Sequence, residues 1–457
     1  MNDLISHNPA DNSVVGLVAI STDAEVAEKV SNAQHAKFAW RHLGVAKRIA
    51  ILHLALVAFQ KREHEICRLI MQEMGKPITE CQEEVETGFI YFAAFLAEGH
   101  EYIKDEITVH EDKVLHRIVY EPRGVTACIV PWNFPFTNFI FSAIPNLIVG
   151  NPVVFKHSEE CPLLGKLLEE VMASIKELPP GVFTEVYGGA QVGEALLAQP
   201  IDMVCFIGSS AIGKKIFALA GKKQIKAVLE MGGSNPSLVF ADADLDQVIP
   251  LLYQTRFANC GQMCDATKRL IVHRSIHDTV VAKLVAYIGQ QRIGDPSLGN
   301  TQLGPLAAMR QLELLEEQVA DAVTQGATVV IGGARPKNLT GAYYLPTLLT
   351  HVTESMRVWR EEVFGPVLSI MSFDSEEDAI ALANNTIYGL GAVIYTKDLE
   401  LARRVALQLD VGSVDINAGS HWRPENPFGG YKASGMGCSL GRWGFQELCL
   451  VKVVAEG

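Results

Sequence analysis

The run MVCFIGSSAIG, residues 203–213, sets the architecture that this sequence predicts. Its apolar part, Met203 to Ile207, predicts a strand, and the helical segment that follows begins with Gly208, Ser209 and Gly213. Backbone N–H groups at such a strand-to-helix turn can bind a phosphate. The turn lacks both the three-glycine dinucleotide fingerprint and the Lys-Thr ending of a phosphate loop. Taken alone, it predicts either a phosphate site or a tight turn.

On both sides of this turn, short apolar segments alternate with helical ones between residues 124 and 240. The predicted strands are Val125–Val130, Val153–Phe155, Phe183–Val186, Met203–Ile207, Lys226–Glu230 and Ser237–Phe240. Such alternation indicates a parallel, doubly wound α/β sheet, in which ligands bind beyond the carboxyl ends of the strands. Because Trp132, Lys156, Gly208 and Glu230 follow or end predicted strands, they are candidate site residues.

A second α/β domain is predicted past Leu245, where the alternation resumes. Its predicted strands lie near Arg269–His273, Thr328–Ile331, Val367–Phe373, Ala392–Tyr395 and Ser413–Asn417. Apolar residues at three- and four-residue steps predict helical structure from Thr22 to about Gln72. The residues that set this spacing include Val26, Val30, Ala33 and Phe38. A further helix is expected from Thr79 to about Glu98, and the looser alternation from Ile107 to Tyr120 predicts a hairpin with one exposed face.

Phenylalanines are expected to form the buried side of the helix that begins near Thr79. They are Phe89, Phe92 and Phe95. The stripe is typical of core packing rather than of a cofactor site.

Composition excludes several classes of protein. The chain has 457 residues with a net charge of −13 and no clustered Lys and Arg, which argues against nucleic-acid binding. No apolar run reaches the roughly 18 residues that a membrane span needs, and Met1–Asp11 does not resemble a secretory signal. The nine cysteines have no paired or metal-ligand spacing, so we expect a cytoplasmic protein without a metal.

Three residues suit nucleophilic chemistry on a carbonyl, and each also has a plain structural interpretation. Cys264, in the run NCGQMC from Asn259, is either a presented thiolate or a small buried hydrophobe. Glu230, followed by two glycines after Met231, is either a general base or a glutamate heading a turn. The Asn133 amide lies in an aromatic run and either donates to an oxyanion or satisfies a turn.

Lys156 and Glu159 follow a predicted strand, where a lysine and a carboxylate can hold the hydroxyls of a ribose. Charges after a strand are also common as solvated surface groups. If the site holds a dinucleotide, the Glu159 carboxylate would repel a 2′-phosphate, so NAD is expected to be preferred over NADP.

Taken in order, seven segments resemble the successive signatures of the NAD(P)-dependent aldehyde dehydrogenase superfamily. They are Pro131–Phe136, Lys156 with Glu159, Gly208–Gly213, Leu229–Gly233, Gly261–Cys264, Glu361–Pro366 and Pro427–Gly437. The resemblance spans nearly the whole chain. It implies a Rossmann-type NAD-binding domain (1–105 and 122–231), an α/β catalytic domain (232–430) and small β oligomerisation elements (106–121 and 431–457). A homodimer or homotetramer is therefore expected.

The resemblance also implies roles for the site residues. Cys264 would attack the aldehyde to give a thiohemiacetal and, after hydride transfer, a thioester. Asn133 and the Cys264 N–H would form the oxyanion hole, and Glu230 would activate the hydrolytic water. The implied cofactor-binding residues are Trp132, Lys156, Glu159, Gly208, Ser209, Gly213, Glu362 and Phe364. Because no motif is broken, an active enzyme is favoured over a non-enzymatic relative that keeps the fold.

The substrate is the least determined expectation. The implied pocket positions are Phe134, Asn138, Met263, Asp265 and the run Ser420–Arg423. Arg423 could pair bidentately with a carboxylate, which favours a small polar or acidic aldehyde such as succinate semialdehyde. Asp265 would repel that anion if it faces inward. Forms that act on glyceraldehyde 3-phosphate or lactaldehyde share the pattern around Cys264, Ala266 and Lys268 and are the alternative.

Cys260 precedes Cys264 by four residues and departs from the family pattern. It either forms a reversible disulfide with Cys264 or is an inert buried thiol.

Overall fold

The computed structural model of the protein describes residues 3–457. Met1 and Asn2, which the predicted cofactor domain and the comparison with a secretory signal both include, lie outside the described residues.

The elements in the amino-terminal half are β1 (Asp3–His7), β2 (Val14–Ala19), α1 (Asp23–His42), α2 (Val45–Gln60), α3 (Glu63–Met74), α4 (Ile78–Tyr102), β3 (Glu106–Glu111), β4 (Val114–Pro122), β5 (Thr126–Ile129), α5 (Pro135–Val149), β6 (Val153–Lys156), α6 (Pro162–Ala173), β7 (Phe183–Glu185), α7 (Ala190–Ala198), β8 (Met203–Gly208), α8 (Ser210–Lys223) and β9 (Lys226–Met231). Those that follow are β10 (Asn235–Val239), α9 (Leu245–Phe257), β11 (Thr267–His273), α10 (His277–Ile288), α11 (Met309–Thr324), β12 (Thr328–Ile331), β13 (Thr347–Thr350), α12 (Arg357–Arg360), β14 (Val367–Phe373), α13 (Glu376–Asn384), β15 (Gly391–Tyr395), α14 (Leu399–Ala406), β16 (Ser413–Ile416), β17 (Gly435–Met436), α15 (Gly441–Glu447) and β18 (Cys449–Glu456).

The first large sheet has six strands in the order β17-β9-β8-β5-β6-β7. All neighbours are parallel except β17, which runs antiparallel to β9. Its central strands are apolar and buried because helices cover both faces, as the near-continuous apolar runs predict. The predicted doubly wound sheet is confirmed, although residues 435–436, grouped in the sequence with the oligomerisation elements, join this sheet.

The second large sheet has seven strands in the order β12-β13-β14-β11-β10-β15-β16 and is parallel except for β12. β10 lies inside this sheet between β11 and β15, so the segment Ser237–Phe240 belongs to this sheet rather than to the first one. The chain crosses between the sheets at Gly232–Ser234, immediately after Glu230. A glutamate at the end of β9 therefore lies where the two domains meet.

Two smaller antiparallel sheets complete the fold. β18, β4 and β3 form a three-stranded sheet in that order, which contains the predicted hairpin. β1 and β2 pair as an amino-terminal hairpin that the sequence analysis did not predict.

The predicted helical segments are present, with two corrections to their buried faces. A capping box of Thr22 and Glu25 begins α1. Phe38 is 63% exposed, because the buried stripe passes from Ala33 through Ala36 to Trp40 and leaves Phe38 on the other face. In α4, Phe92 and Phe95 are buried and Phe89 is only half-buried.

No single helix among residues 3–457 is both long and apolar enough to cross a membrane, and only α1 and α2 taken together, with a 117° bend between them, meet the criteria of length and composition.

A buried ion pair fixes the helical layer to the strand ends of the first sheet. The Lys76 ammonium pairs with Glu84, and both side chains are almost fully buried. Lys76 also donates to the Asn133 carbonyl at 3.0 Å, and Glu84 accepts from the N–H groups of Phe136 and Thr137 at 3.0 and 3.3 Å. The pair thus holds the residue before α5 and the first turn of α5.

Replacing Lys76 with Met is expected to lower the free energy of unfolding by about 3–5 kcal/mol, because the Glu84 carboxylate would stay buried without its counter-charge. Denaturant unfolding followed by circular dichroism measures this loss. Lys104→Met, which removes an exposed partner of Glu101, is the matched control and should change stability by no more than about 0.5 kcal/mol. Equal losses in the two variants would contradict this interpretation of the buried pair.

Candidate active site

Cys264 lies in a turn that leads directly into β11. The preceding residues Asn259 and Cys260 have left-handed φ values of 50° and 55°, so the segment is not a regular helix, and Cys260 and Cys264 do not share a helix face. Cys260 is buried in the core of the second domain, whereas Cys264 is half-buried against the core of the first. Both are free thiols, which favours the interpretation of Cys260 as an inert thiol.

Burial raises the pKa of the Cys264 thiol well above its ordinary value, and the neighbouring Asp265 carboxylate adds to this effect. The Lys268 ammonium opposes it. The thiol is therefore neutral at rest, and a group that removes its proton is needed before it can attack.

Amide side chains tie the loop of Cys264 to the segment after β5. Asn133 Nδ2 donates to the Gln262 carbonyl at 3.0 Å, and Asn259 Nδ2 donates to the Asn133 carbonyl at 2.7 Å. Gln262 in turn accepts from the N–H of Ala307 at 2.9 Å. The predicted oxyanion donor Asn133 thus lies against the nucleophile loop, and its amide has a second N–H to offer.

Lys268 is a site residue whose role the sequence analysis did not predict. Its buried ammonium donates to the carbonyls of Met263 and Cys264 at 2.9 and 2.6 Å and pairs with Glu362 at 3.1 Å. Burial lowers the pKa of Lys268, and Glu362 opposes this shift. The sequence signal was a charged residue at the start of an apolar strand, β11.

The two glycines after Met231 allow three segments to meet. A Cβ at Gly233 would lie 2.7 Å from the Cys264 carbonyl oxygen, and a Cβ at Gly232 would overlap the Glu362 carboxylate. The Gly233 N–H also donates to Glu362 at 3.0 Å. Only glycine fits at these positions, which brings the predicted ribose ligand Glu362 next to the predicted nucleophile.

Glu230 is buried where β9 ends. Its Oε1 accepts from the Ser439 hydroxyl at 3.0 Å, and its Oε2 has no hydrogen-bond partner. Burial raises the pKa of Glu230 well above its ordinary value, and the hydrogen bond from Ser439 opposes the shift. A carboxyl group in this state suits a general base that works near neutral pH.

The residues predicted to bind the cofactor follow or end strands of the first sheet, except Glu362 and Phe364, which precede β14. The rings of Trp132 and Phe364 meet edge to face, with centroids 5.6 Å apart. Ser209 caps α8 by accepting from the Ile212 N–H at 3.4 Å, so a helix begins at the predicted pyrophosphate position. Gly213 is packed so closely against Met231 that a side chain there would overlap the sulfur.

The segment after β6, which is predicted to hold the adenosine ribose, contains a contact that the sequence did not predict. Lys156 is buried and donates to the His157 carbonyl at 3.1 Å, and burial lowers its pKa while Glu159 opposes the shift. Glu159 pairs with Arg310 at 3.1 Å, and the same guanidinium pairs with Glu160 at 2.7 Å. Arg310 comes from α11 in the other domain, and no local pattern pointed to it.

These groups fit a dinucleotide. A helix begins at the predicted phosphate position, and the predicted ribose ligands are Lys156, whose buried ammonium donates to the His157 carbonyl, and Glu362, which accepts from the Gly233 N–H. Glu362 and Phe364 lie next to the turn that carries Cys264.

Aromatic rings and one carboxylate surround the other side of Cys264. Trp422 Nε1 donates to Asp265 Oδ2 at 2.9 Å, and the indole stacks on Phe428 and Phe141 with centroids 4.6 and 6.1 Å away. Arg423, the predicted carboxylate ligand, is exposed.

The remaining predicted pocket residues lie near this group. Asn138 is buried and donates to Asn133 Oδ1 at 3.4 Å, while Met263 is half-buried. The Lys76 ammonium lies 4.0 Å from the centroid of the Phe134 ring.

Comparison with known proteins identifies the family. Residues 2–454 match the model of the Aldehyde dehydrogenase family. Aminoaldehyde dehydrogenase 1, peroxisomal, of Pisum sativum is 36% identical over 98% of this chain and 91% of its own length. Succinate-semialdehyde dehydrogenase [NADP(+)] of Deinococcus radiodurans is 36% identical over 98% and 93%. A betaine aldehyde dehydrogenase from Staphylococcus aureus, solved with NAD+, superposes with a TM-score of 0.95 at 29% identity, covering 100% of this chain and 91% of its own.

The resemblance inferred from the seven segments is thereby confirmed, and with it the two-domain α/β fold. The chain belongs to the aldehyde dehydrogenase family and is an oxidoreductase that acts on aldehydes with NAD(P).

Proposed function

We propose that this enzyme oxidises an aldehyde whose far end carries a positive charge, such as an ω-aminoaldehyde or a trimethylammonium aldehyde. The observation that carries this proposal is the Asp265 carboxylate, which adjoins Cys264 and accepts from Trp422. No lysine or arginine within residues 3–457 forms a salt bridge with it. A carboxylate beside stacked aromatic rings attracts a cation through both its charge and the ring faces.

The names of two relatives support a cationic substrate, because one is an aminoaldehyde dehydrogenase and the other is a betaine aldehyde dehydrogenase. A second candidate is the acidic aldehyde expected from the sequence. It is favoured by exposed Arg423 and by the relative that acts on succinate semialdehyde. Asp265 opposes it, because a substrate carboxylate near this group would be repelled.

In the proposed reaction Cys264 Sγ forms a bond to the aldehyde carbon, and the thiol proton passes to a water molecule. Asn133 Nδ2 and the Cys264 N–H donate to the oxygen that becomes negative, each donor worth about 2.7–4 kcal/mol of barrier. Bound NAD(P) supplies the hydride acceptor. Glu230 then takes a proton from the water that attacks the thioester, the C–S bond breaks, and the carboxylic acid leaves.

Cys264→Ala is expected to abolish aldehyde oxidation, because no other thiol adjoins Asn133, while the dinucleotide still binds. NADH absorbance measures turnover and protein fluorescence measures binding. Cys260→Ala, which removes the neighbouring buried thiol, is the control and should keep most activity. Oxidation that survives in Cys264→Ala would remove Cys264 as the nucleophile.

Asp265→Asn is expected to lower kcat/KM for 4-aminobutyraldehyde about tenfold or more, because it removes an attraction of about 1.4 kcal/mol or more between unlike charges. The kcat/KM for succinate semialdehyde should rise or stay unchanged. Parallel assays with an uncharged aldehyde of the same length separate charge recognition from damage to the site. A wild-type enzyme that prefers succinate semialdehyde would select the second candidate.

We also propose that NAD is preferred over NADP. Two carboxylates, Glu159 and Glu160, meet the single guanidinium of Arg310 at the position predicted for the adenosine ribose. Their excess negative charge disfavours a 2′-phosphate. Because Arg310 partly neutralises that charge, the preference should be moderate, and a relative is NADP-dependent.

Glu159→Ser is expected to raise the ratio of kcat/KM for NADP to that for NAD, because the carboxylate is lost and Arg310 is freed to meet a phosphate. Arg310→Ala is the matched variant and should lower the ratio. Initial rates with both dinucleotides give the two ratios. If neither variant moves the ratio, these residues do not select the cofactor.

A homo-oligomer is proposed from the three-stranded sheet. β18 is its edge strand, and the side chains of Val451 and Val453 are 63% and 62% exposed. A long apolar edge strand that stays uncovered invites pairing with another chain, so a second copy of this chain is its expected partner. The expected cytoplasmic location stays a prediction, and the nine free cysteines are compatible with it.

Light scattering with size exclusion is expected to give a dimer or tetramer for the wild type. The double substitution Val451→Lys and Val453→Lys should shift the measured mass towards that of the monomer, because charged side chains would have to be buried between the two copies. Leu407→Lys, at the 90% exposed residue that follows α14, is the control and should leave the mass unchanged. A monomeric wild type would overturn the proposal.

A further inference from the structure

The Glu230 carboxylate faces a small cavity that has no role in the proposed reaction. The cavity holds about 20 Å³, room for a single water molecule, between α5, β8, β9 and the segment after β17. Cys205, Glu230, Cys438 and Ser439 contribute to its wall. Glu230 Oε2 is buried without a partner, although a buried carboxylate oxygen is normally hydrogen-bonded.

Ser439 is held rigidly at this cavity. It forms an isolated antiparallel bridge with Phe428, with both backbone hydrogen bonds at 2.7 Å. Phe428 stacks on Trp422, which is itself hydrogen-bonded to Asp265. The Ser439 hydroxyl therefore reaches Glu230 Oε1 from a fixed backbone position that also supports the wall beside Cys264.

We propose that Ser439 is a positioning residue that holds Glu230 against a one-water cavity and so keeps the base ionised and aimed for thioester hydrolysis. This inference rests on the proposed role of Glu230 as the base. The cavity water would donate to Oε2, and the proton that Glu230 takes from the attacking water would pass to the Cys264 thiolate released when the C–S bond breaks. The hydroxyl of Ser439 donates to the ionised carboxylate and favours that form.

The groups that face Glu230 make the hydrogen bond from Ser439 important for the ionised form of the carboxylate. They are the thiols of Cys205, Cys264 and Cys438, and within residues 3–457 no ammonium or guanidinium group forms a salt bridge with Glu230. Desolvation pushes the carboxyl group towards its neutral form. Among the side chains that the structure describes, only the hydroxyl of Ser439 hydrogen-bonds to Glu230.

The test follows the acyl-enzyme directly. Enzyme is mixed with NAD and limiting propionaldehyde and quenched in acid at set times, and the mass of the intact protein is measured by mass spectrometry. NADH absorbance reports hydride transfer. The experiment is run from pH 5 to pH 9 on the wild type, Ser439→Ala, Ser439→Thr, Cys438→Ala and Glu230→Gln. Cys438→Ala is the control, because it changes the same cavity wall and keeps the hydrogen bond from Ser439 to the Glu230 carboxylate.

In Ser439→Ala we expect the pH midpoint of acyl-enzyme decay to move up by about one unit, because a hydrogen bond to the charged form is lost. The rate of NADH formation should change less than about twofold, and Ser439→Thr should restore the midpoint. Cys438→Ala should keep it.

An unmoved midpoint in Ser439→Ala would overturn the positioning role. So would equal slowing of NADH formation and acyl-enzyme decay, since that outcome means general damage. If Glu230→Gln leaves decay undiminished, the proposed base itself is wrong, which distinguishes failure of the proposed function from failure of this inference.

Discussion

The buried Lys268 ammonium joins two parts of the candidate active site that come from distant positions in the chain. It donates to the carbonyls of Met263 and Cys264 and pairs with Glu362. A buried ammonium must be fully hydrogen-bonded to be tolerated, so these acceptors cannot move independently. The nucleophile turn and the carboxylate proposed to hold a ribose are therefore fixed relative to each other.

Close backbone approach completes this arrangement. Gly232 and Gly233 leave the space that the Glu362 carboxylate and the Cys264 carbonyl occupy, at the crossing between the two sheets. Glu230, immediately before the crossing, comes near the same turn without a hydrogen bond to it. The proposed nucleophile and the proposed base are different side chains, which suits a reaction in two stages, with acylation at Cys264 first and hydrolysis second.

The sequence predicted the architecture well where a single strand or helix carried the signal. The parallel sheets and the hairpin followed from apolar runs and from the residues that end them. The prediction that Phe38 lies on the buried face of α1 was wrong, because a step of five residues from Ala33 leaves that face. Without the neighbouring Trp40, this difference in spacing is too small to recognise. The hairpin of β1 and β2 was missed because its strands are short and largely exposed.

Contacts between distant segments could not be predicted in the same way. Arg310 meets Glu159 across 151 residues, and Ser439 reaches Glu230 across 209. Such pairs depend on how two domains pack, and one sequence carries no periodic pattern for that. The class of substrate could not be predicted from the sequence for the same reason. The role proposed for Asp265 depends on the hydrogen bond that it accepts from Trp422.

One measurement tests the chemistry at its core. Glu230→Gln enzyme, incubated with NAD and an aldehyde and then quenched in acid, should retain one acyl group per chain. Digestion and peptide mass spectrometry should locate it on Cys264, with Cys260 and Cys438 unmodified. An acyl group on another residue, or NADH formed with no acyl group on any cysteine, would contradict the account.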